Sequence, residues 1–343
     1  METYRAVMLT KRGGPEVLQE TELPLVEPGP GEVRVAVQAT GAGGTDVTMR
    51  RGSYIYAPKM PFVPGYEVVG RVEKLGAGVT DLRVGQRVAA LIVHGGYAEK
   101  LVRPAADFVG LGDDGRAPDE AVLALILNYV TAYQAMHRTA HVKAGQTALV
   151  TGASGGVGSA AIELLRLAGL TVYGAASGAR HDFVRSLGAT PIEGRTKPVD
   201  AALREVLPEG VDYAFDGLGG KYLGQCVRAT KAGGHVVGYG FSATSGPDGK
   251  PRLLTILSGM LALLVGSRLR GRRGSFYGIT ALYRKDRTPF REDLPKLVAL
   301  LDAGKLKPKI AARLPLLAAR NAGELLERGG LEGKIVHLAS VLA

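Results

Sequence analysis

The residues best suited to chemistry form a run near the middle of the chain, Gly152-Ala153-Ser154-Gly155-Gly156-Val157-Gly158-Ser159-Ala160-Ala161. It follows a buried-strand pattern, Thr147-Ala148-Leu149-Val150-Thr151, and opens a helical one, Ser159 to Ala168. Strand, glycine-rich turn and helix in that order are the context in which such a run binds a dinucleotide. Gly155 lets the backbone approach a pyrophosphate with no Cβ in the way, and Gly158 with the small residues after it lets the helix pack closely on the strand. The helix N-terminus offers free N–H groups and a partial positive charge to the phosphates. Ala153, Ser154, Gly155, Gly156, Val157 and Gly158 are therefore candidate cofactor contacts. The run departs from G-x-G-x-x-G in that Ala153 takes the first glycine position.

The next strand bears on which dinucleotide. An NAD site places Asp or Glu near its end to bond the ribose hydroxyls. Here the chain reads Ala175-Ala176-Ser177-Gly178-Ala179-Arg180, with no carboxylate before Asp182. A hydroxyl, Ser177, and a guanidinium, Arg180, stand where an acid would repel a 2′-phosphate, and Arg bonds phosphate through a planar fork. NADPH is the expected cofactor; the plainer reading of Arg180 is a solvated residue at a helix start.

Around this centre the chain changes character. Before residue 121 it carries short strand patterns between turn signals: Val33 to Ala39 alternates with period two, Glu67 to Leu75 ends at Gly76-Ala77-Gly78, and Val84-Gly85-Gln86-Arg87-Val88 precedes a turn at Gly95-Gly96. Ala121 to Arg138 is apolar and rich in helix formers. Strands and helices then alternate, with strands at Leu170–Ala175, Val211–Asp216 and His235–Tyr239 and a helix at Arg180–Leu187, which implies a parallel sheet covered on both faces. Leu294 to Leu301 reads as helix and Lys334 to Leu338 as a closing strand.

Composition excludes several classes. At 343 residues with 46% hydrophobic and 22% charged residues, the chain is globular and long enough for about two domains. One cysteine, Cys226, excludes an internal disulfide and a cysteine-built metal cage, and fits a reducing compartment. No signal peptide pattern follows Met1, and the longest apolar stretch, Leu253 to Val265, falls short of the roughly 20 residues a bilayer span needs, so a cytoplasmic protein is expected. The net charge of +11 fits a basic solvated surface or attraction of a phosphate-bearing ligand. Nucleic acid is disfavoured: aromatic residues are 6%, Trp is absent and Arg does not interleave with aromatics.

An ordered set of landmarks carries a resemblance over nearly the full length: Pro28-Gly29-Pro30-Gly31-Glu32-Val33, Gly41-Ala42-Gly43-Gly44-Thr45-Asp46, Arg51-Gly52-Ser53-Tyr54, Pro61-Phe62-Val63-Pro64-Gly65-Tyr66-Glu67, Val84 to Val88, Gly95-Gly96-Tyr97-Ala98-Glu99, Thr131-Ala132-Tyr133, the glycine turn, and Gly333-Lys334-Ile335-Val336. On these the chain resembles the medium-chain dehydrogenase/reductase superfamily, and within it the zinc-independent quinone oxidoreductase branch that includes zeta-crystallin. The resemblance implies an α/β protein: a GroES-like, β-rich catalytic domain from residues 1–122 and 288–343, and a Rossmann NADP-binding domain, a doubly wound parallel sheet, from 123–287, with the active site in the cleft. Zinc-dependent relatives carry Cys at the place of Gly43 and His at the place of Tyr66; both are missing, so no zinc is expected.

Without a metal, the implied chemistry is hydride transfer from NADPH to a quinone or an α,β-unsaturated carbonyl, aided by a hydrogen-bond donor to the oxygen that gains charge. Tyr54 is the first candidate donor, by similarity to the segment where enoyl-thioester reductases keep a catalytic tyrosine. Tyr66 is the second, since it stands where the zinc His would face the cleft; an aromatic wall is the plain alternative for both. Asn128 and Tyr129 are placed at the border of the nicotinamide, Thr131 close to it and Tyr239 among the cofactor contacts. Quinone reductases often have Asn at the place of Gly43, and relatives frequently have Tyr at the place of Gly194, where Arg195 takes over part of the contact to the adenosine phosphate.

Relatives are shorter between Phe241 and Ser275. Here polar Ser242 to Lys250 is followed by the apolar run Leu253 to Val265 and by Arg268, Arg270, Arg272 and Arg273. A cleft roof or subunit interface, a peripheral membrane contact through 253–273 and an electrostatic partner site are the open readings. Ser275-Phe276-Tyr277-Gly278-Ile279 matches the edge strand through which family members pair, so a homodimer through 275–279 is expected. A low-turnover, NADPH-binding, membrane-associated or structural protein is the alternative to the enzyme.

Overall fold

The computed structural model describes residues 2–112, 117–244 and 252–341. The chain forms two compact units, one of residues 1–127 and 287–343, the other of residues 128–286.

The second unit is built on a six-stranded parallel sheet. Its spatial order is Thr190–Glu193, Thr171–Ala176, Thr147–Thr151, Val211–Asp216, Thr230–Gly238 and Arg273–Phe276. The first strand of this unit, Thr147–Thr151, thus lies inside the sheet, and the connections run outward from it in both directions. This is the doubly wound Rossmann arrangement expected from the alternating pattern, with its switch point beyond the carboxyl ends of Thr147–Thr151 and Val211–Asp216. Apolar residues at i, i+3 and i+4 spacing make the helix Gly156–Leu167 bury Ala160, Ala161, Ile162, Leu164 and Leu165. A shared core of Leu149, Ala175, Ile192, Ala214, Cys226 and Val236 excludes water from the sheet. Arg273–Phe276 ends the sheet on one side.

The first unit carries a seven-stranded, mainly antiparallel sheet. Its central strand Glu32–Ala42 pairs with Glu67–Leu75, Lys100–Pro104 and the closing strand Lys334–Leu338. The period-two pattern is realised: Val33, Val35 and Val37 point into a core with Val68, Val72, Val88, Phe108 and Ile335. The segment from Val84 is a strand only from Arg87; Val84 is 62% exposed and Gly85 has φ +81°, so a turn precedes the strand. A hairpin, Thr3–Leu9 with Leu18–Pro24, was not evident from the pattern. Its second strand alternates half-buried with exposed polar residues, which leaves little apolar signal.

One buried ion pair ties the two chain ends of this unit together. The Glu67 carboxylate, fully buried, meets the Lys334 ammonium, itself 4% exposed, and also accepts the Leu127 N–H at 2.8 Å. Gly41 makes the pair possible, because a Cβ there would lie 2.4 Å from a Glu67 oxygen and 2.5 Å from Lys334 Cε. Burial pushes the Glu67 carboxyl up, and the lysine opposes that shift. Removing one partner of a buried pair strands the other charge, so Lys334→Met should cost about 3–5 kcal/mol. Urea unfolding checks this: the single variant should lose that stability, and Glu67→Gln added to it should restore a large part.

Candidate functional site

The glycine turn leaves the sheet at its switch point. Gly152 adopts φ +61°, a left-handed conformation that suits glycine, and reverses the chain after Thr151. The Gly155 N–H returns to the Gly152 carbonyl at 3.0 Å, and Gly155 then starts the helix with no side-chain cap. At Gly158 a Cβ would sit 2.2 Å from the Gly152 oxygen, so only glycine lets the first helical turn lie this close to the strand end. Ala153 in place of a glycine has a local reason: it is fully buried, donates its N–H to Ala175 at 3.2 Å, and a Cβ on Gly174 would lie 3.0 Å from its methyl. The small residue has exchanged sides between two neighbouring strands.

Asn128 meets this turn. Its amide packs on the backbone of Gly156, where a Cβ would come within 2.4 Å of Nδ2. The helical turns Leu125–Tyr129 and Val130–Tyr133 that carry Asn128 and Thr131 place both in buried positions, and Thr131 Oγ1 has no hydrogen-bond partner. A buried hydroxyl without a partner is costly unless a ligand supplies one. Tyr129, next to Asn128, donates its phenol to Glu163 on the helix after the turn, which fastens the two helices in place.

Ser177, Arg180 and Arg195 lie on two adjoining loops. The strands Thr171–Ala176 and Thr190–Glu193 pair in parallel, with Ala176 opposite Glu193, so the loops that follow them emerge side by side. Ser177 leads a single helical turn closed by the Arg180 N–H at 2.8 Å. Gly194 donates to the Ala176 carbonyl at 2.9 Å, and a Cβ there would be 3.1 Å from the Ala176 nitrogen, which explains its small size. The sequence reading missed Glu193 at this rim. Its carboxylate accepts the Arg195 and Thr196 N–H groups at 2.7 and 3.0 Å, which hold it below its ordinary range. Tyr239 follows the strand Thr230–Gly238; its N–H donates to the Asp216 carbonyl at 2.8 Å and its ring covers Gly217.

Tyr54 and Tyr66, in the other unit, are joined directly. Their hydroxyls are 2.7 Å apart, their rings meet edge-on at 6.2 Å, and Tyr56 closes on Tyr54 at 5.7 Å. Tyr66 is 2% exposed, while Tyr54 is half-buried. A phenol hydroxyl both donates and accepts, so each member of the pair can bond the other. Close in sequence lie the positions where zinc-dependent relatives hold their metal. Gly43 brings no side chain, the Tyr66 hydroxyl is bonded to Tyr54, and Glu67 is paired with Lys334. This donor set does not fit zinc, and among the described residues no group of three or more His, Cys, Asp or Glu is placed to hold a metal.

Comparison with known proteins agrees with these landmarks. Residues 29–113 match the alcohol dehydrogenase GroES-like domain, and residues 187–336 match the zinc-binding dehydrogenase domain. The quinone oxidoreductase of Lama guanicoe is 31% identical over 343 residues, covering 97% of each chain. The chain belongs to the medium-chain dehydrogenase/reductase superfamily, in its zinc-independent quinone oxidoreductase branch. Within that superfamily it is also similar to the synaptic vesicle membrane protein VAT-1 homolog of Rattus norvegicus, at 35% identity over 242 residues; the match covers 69% of this chain and 59% of the rat protein. The crystal structure of human VAT-1 homolog-like protein superposes with a TM-score of 0.84 at 25% identity, covering 100% of each chain. The fold of this superfamily, GroES-like and Rossmann, is the one expected from the sequence.

A second carboxylate of this region, Asp46, escaped the sequence reading. It caps the helix Gly44–Arg50 by accepting the Gly43 N–H at 2.9 Å, and burial raises its pKa to about 6. An unfolded Asp titrates near about 4, so between these values the folded state binds the extra proton. Stability should therefore fall as pH rises from about 4 to about 6 and stay lower above that. Asp46→Asn, which keeps an oxygen acceptor for Gly43, should flatten this part of the profile in thermal unfolding across that range; an unchanged slope would assign it to another group.

Proposed function

We propose that this chain is a zinc-independent, NADPH-dependent oxidoreductase that reduces a quinone or the activated double bond of an α,β-unsaturated carbonyl. The observation that carries the reading is the turn at Gly152–Gly158: a helix start with glycine at 155, 156 and 158 and no side-chain cap, and on the neighbouring helix a buried hydroxyl, Thr131 Oγ1, that lacks a partner. These features fit a dinucleotide. The first-turn N–H groups would take the pyrophosphate, and Asn128 and Thr131 would bind near the nicotinamide. Ser177, Arg180 and Arg195 would take the 2′-phosphate. Glu193 stays charged at this rim, its Oε1 bonded by the Arg195 and Thr196 N–H groups, so the assignment requires Arg180 and Arg195 to outweigh one carboxylate.

NADPH supplies the hydride. The residues of the chain orient the acceptor, exclude water and hold the proton: the Tyr54–Tyr66 pair donates a hydrogen bond to the acceptor oxygen as negative charge builds there. Tyr54, the less buried member, makes the contact, and Tyr66 fixes its hydroxyl. The relatives named quinone oxidoreductase support the acceptor class. The vesicle-membrane names of others support a second reading, a cofactor-binding protein of low turnover.

NADPH oxidation with a panel of quinones and enones separates the two: turnover supports the enzyme, and tight NADPH binding with no turnover supports the second reading. In either case Arg180→Ala should weaken NADPH about tenfold or more while sparing NADH, because a hydrogen bond to a charged group contributes about 1.5–3 kcal/mol; equal losses would remove Arg180 as the phosphate reader. Tyr54→Phe should lower kcat with cofactor affinity unchanged.

We further propose a homodimer joined through residues 275–279. Arg273–Phe276 ends the parallel sheet and presents a backbone edge, and such an edge invites pairing. Light scattering should give twice the chain mass; the mass of one chain would refute the dimer.

A further inference from the structure

The segment that the proposed chemistry leaves unused is the helical run of residues 253–269. One side of it is fastened to the body. Gly259, Leu263 and Ser267, four residues apart, are buried, and a Cβ on Gly259 would lie 2.7 Å from the Gly220 carbonyl. The other side faces water and is mostly leucine and valine, interrupted by Ser258 and Arg268. Leu254 is 83% exposed, Leu257 54%, Leu261 62% and Leu269 83%, with Leu253 and Leu264 beside them. These are not solitary surface residues, because helical spacing gathers them into one stripe, and a stripe of this kind marks a binding surface.

Charge identifies what covers it. From Arg252 to Lys285 the chain holds seven Arg and Lys residues and no Asp or Glu. Arg252 precedes the helix, and exposed Arg268, Arg270 and Arg273 crowd its far end. Both ends of the stripe are therefore cationic. A second copy laid against it, parallel or antiparallel, would bring arginines to arginines. A dimer joined through the strand edge at 275–279 pairs backbone and does not need the leucines. An anionic lipid surface matches both features at once, with acyl chains for the leucines and headgroups for the arginines. Length decides how the helix sits: 17 residues at 1.5 Å each extend about 25 Å, and no helix among the described residues is long and apolar enough to cross a membrane.

We propose that residues 253–269 lie flat on an anionic bilayer, leucine side inward, with the arginines at 252 and 268–273 in the headgroup layer. The polar part of the insertion, 245–250, is outside the described residues and is not needed for this inference. Attachment of this kind is independent of cofactor binding and of turnover.

Flotation of the full chain with lipid vesicles tests it, with light scattering of the lipid-free protein alongside. Vesicles holding about 30% phosphatidylserine should bind about tenfold or more tightly than pure phosphatidylcholine, and ~0.5 M salt should reverse most of the difference. Leu257→Glu with Leu261→Glu should abolish flotation, and Arg268→Glu with Arg270→Glu should remove the preference for phosphatidylserine. Both pairs are on the surface, so the thermal midpoint and the solution mass should stay as in the parent chain. No flotation with either vesicle, or flotation that both variants retain, overturns the proposal. A leucine variant that loses half its solution mass assigns the stripe to a second copy and overturns it equally.

Discussion

The close approach of a helix to the end of a strand governs the cofactor-domain architecture. The Gly152 carbonyl lies where a side chain on residue 158 would be, and Asn128 lies where one on residue 156 would be. The first contact brings the helix hard against the strand end, the second seats the Asn128 amide on its first turn, and the helix starts with no side-chain cap. An alanine at 158 would push the helix away from the strand, and one at 156 would displace the Asn128 amide. The glycines are thus a packing requirement first, and the anion-binding corner follows from the packing. The buried methyl of Ala153 belongs to the same constraint, exchanged with Gly174 on the adjacent strand.

In the β-rich unit the controlling interaction is electrostatic. Glu67 is buried with Lys334 as its partner, and Gly41 is glycine because the pair fills the space a Cβ would take. The ammonium neutralises the carboxylate, and the neighbouring tyrosines bond each other across 2.7 Å. The region is polar, and its donors are engaged with one another in a geometry that does not suit a metal.

The surface helix obeys a different economy. Its inner side uses glycine and serine to approach the body closely, and its outer side spends leucines on solvent. In a chain this basic, with no acid between Arg252 and Lys285, a partner that is both apolar and anionic complements the leucines and the arginines together.

Local pattern was sufficient for the parallel sheet, the glycine turn and the alternation in Val33–Ala39, because each depends on residues adjacent in the chain, and periodicity encodes which face is buried. It also showed the loss of the metal donors, which needs only the identities of Gly43 and Tyr66. Val84 was misread because a valine beside a positive-φ glycine has the composition of a strand and the backbone of a turn. The Glu67–Lys334 pair, the Tyr54–Tyr66 contact, the Asn128 amide on Gly156 and the Glu193 carboxylate clamped at the rim were decided by the tertiary structure. Their partners are set by how strands pair and loops close, and distance along the chain carries no record of distance in space.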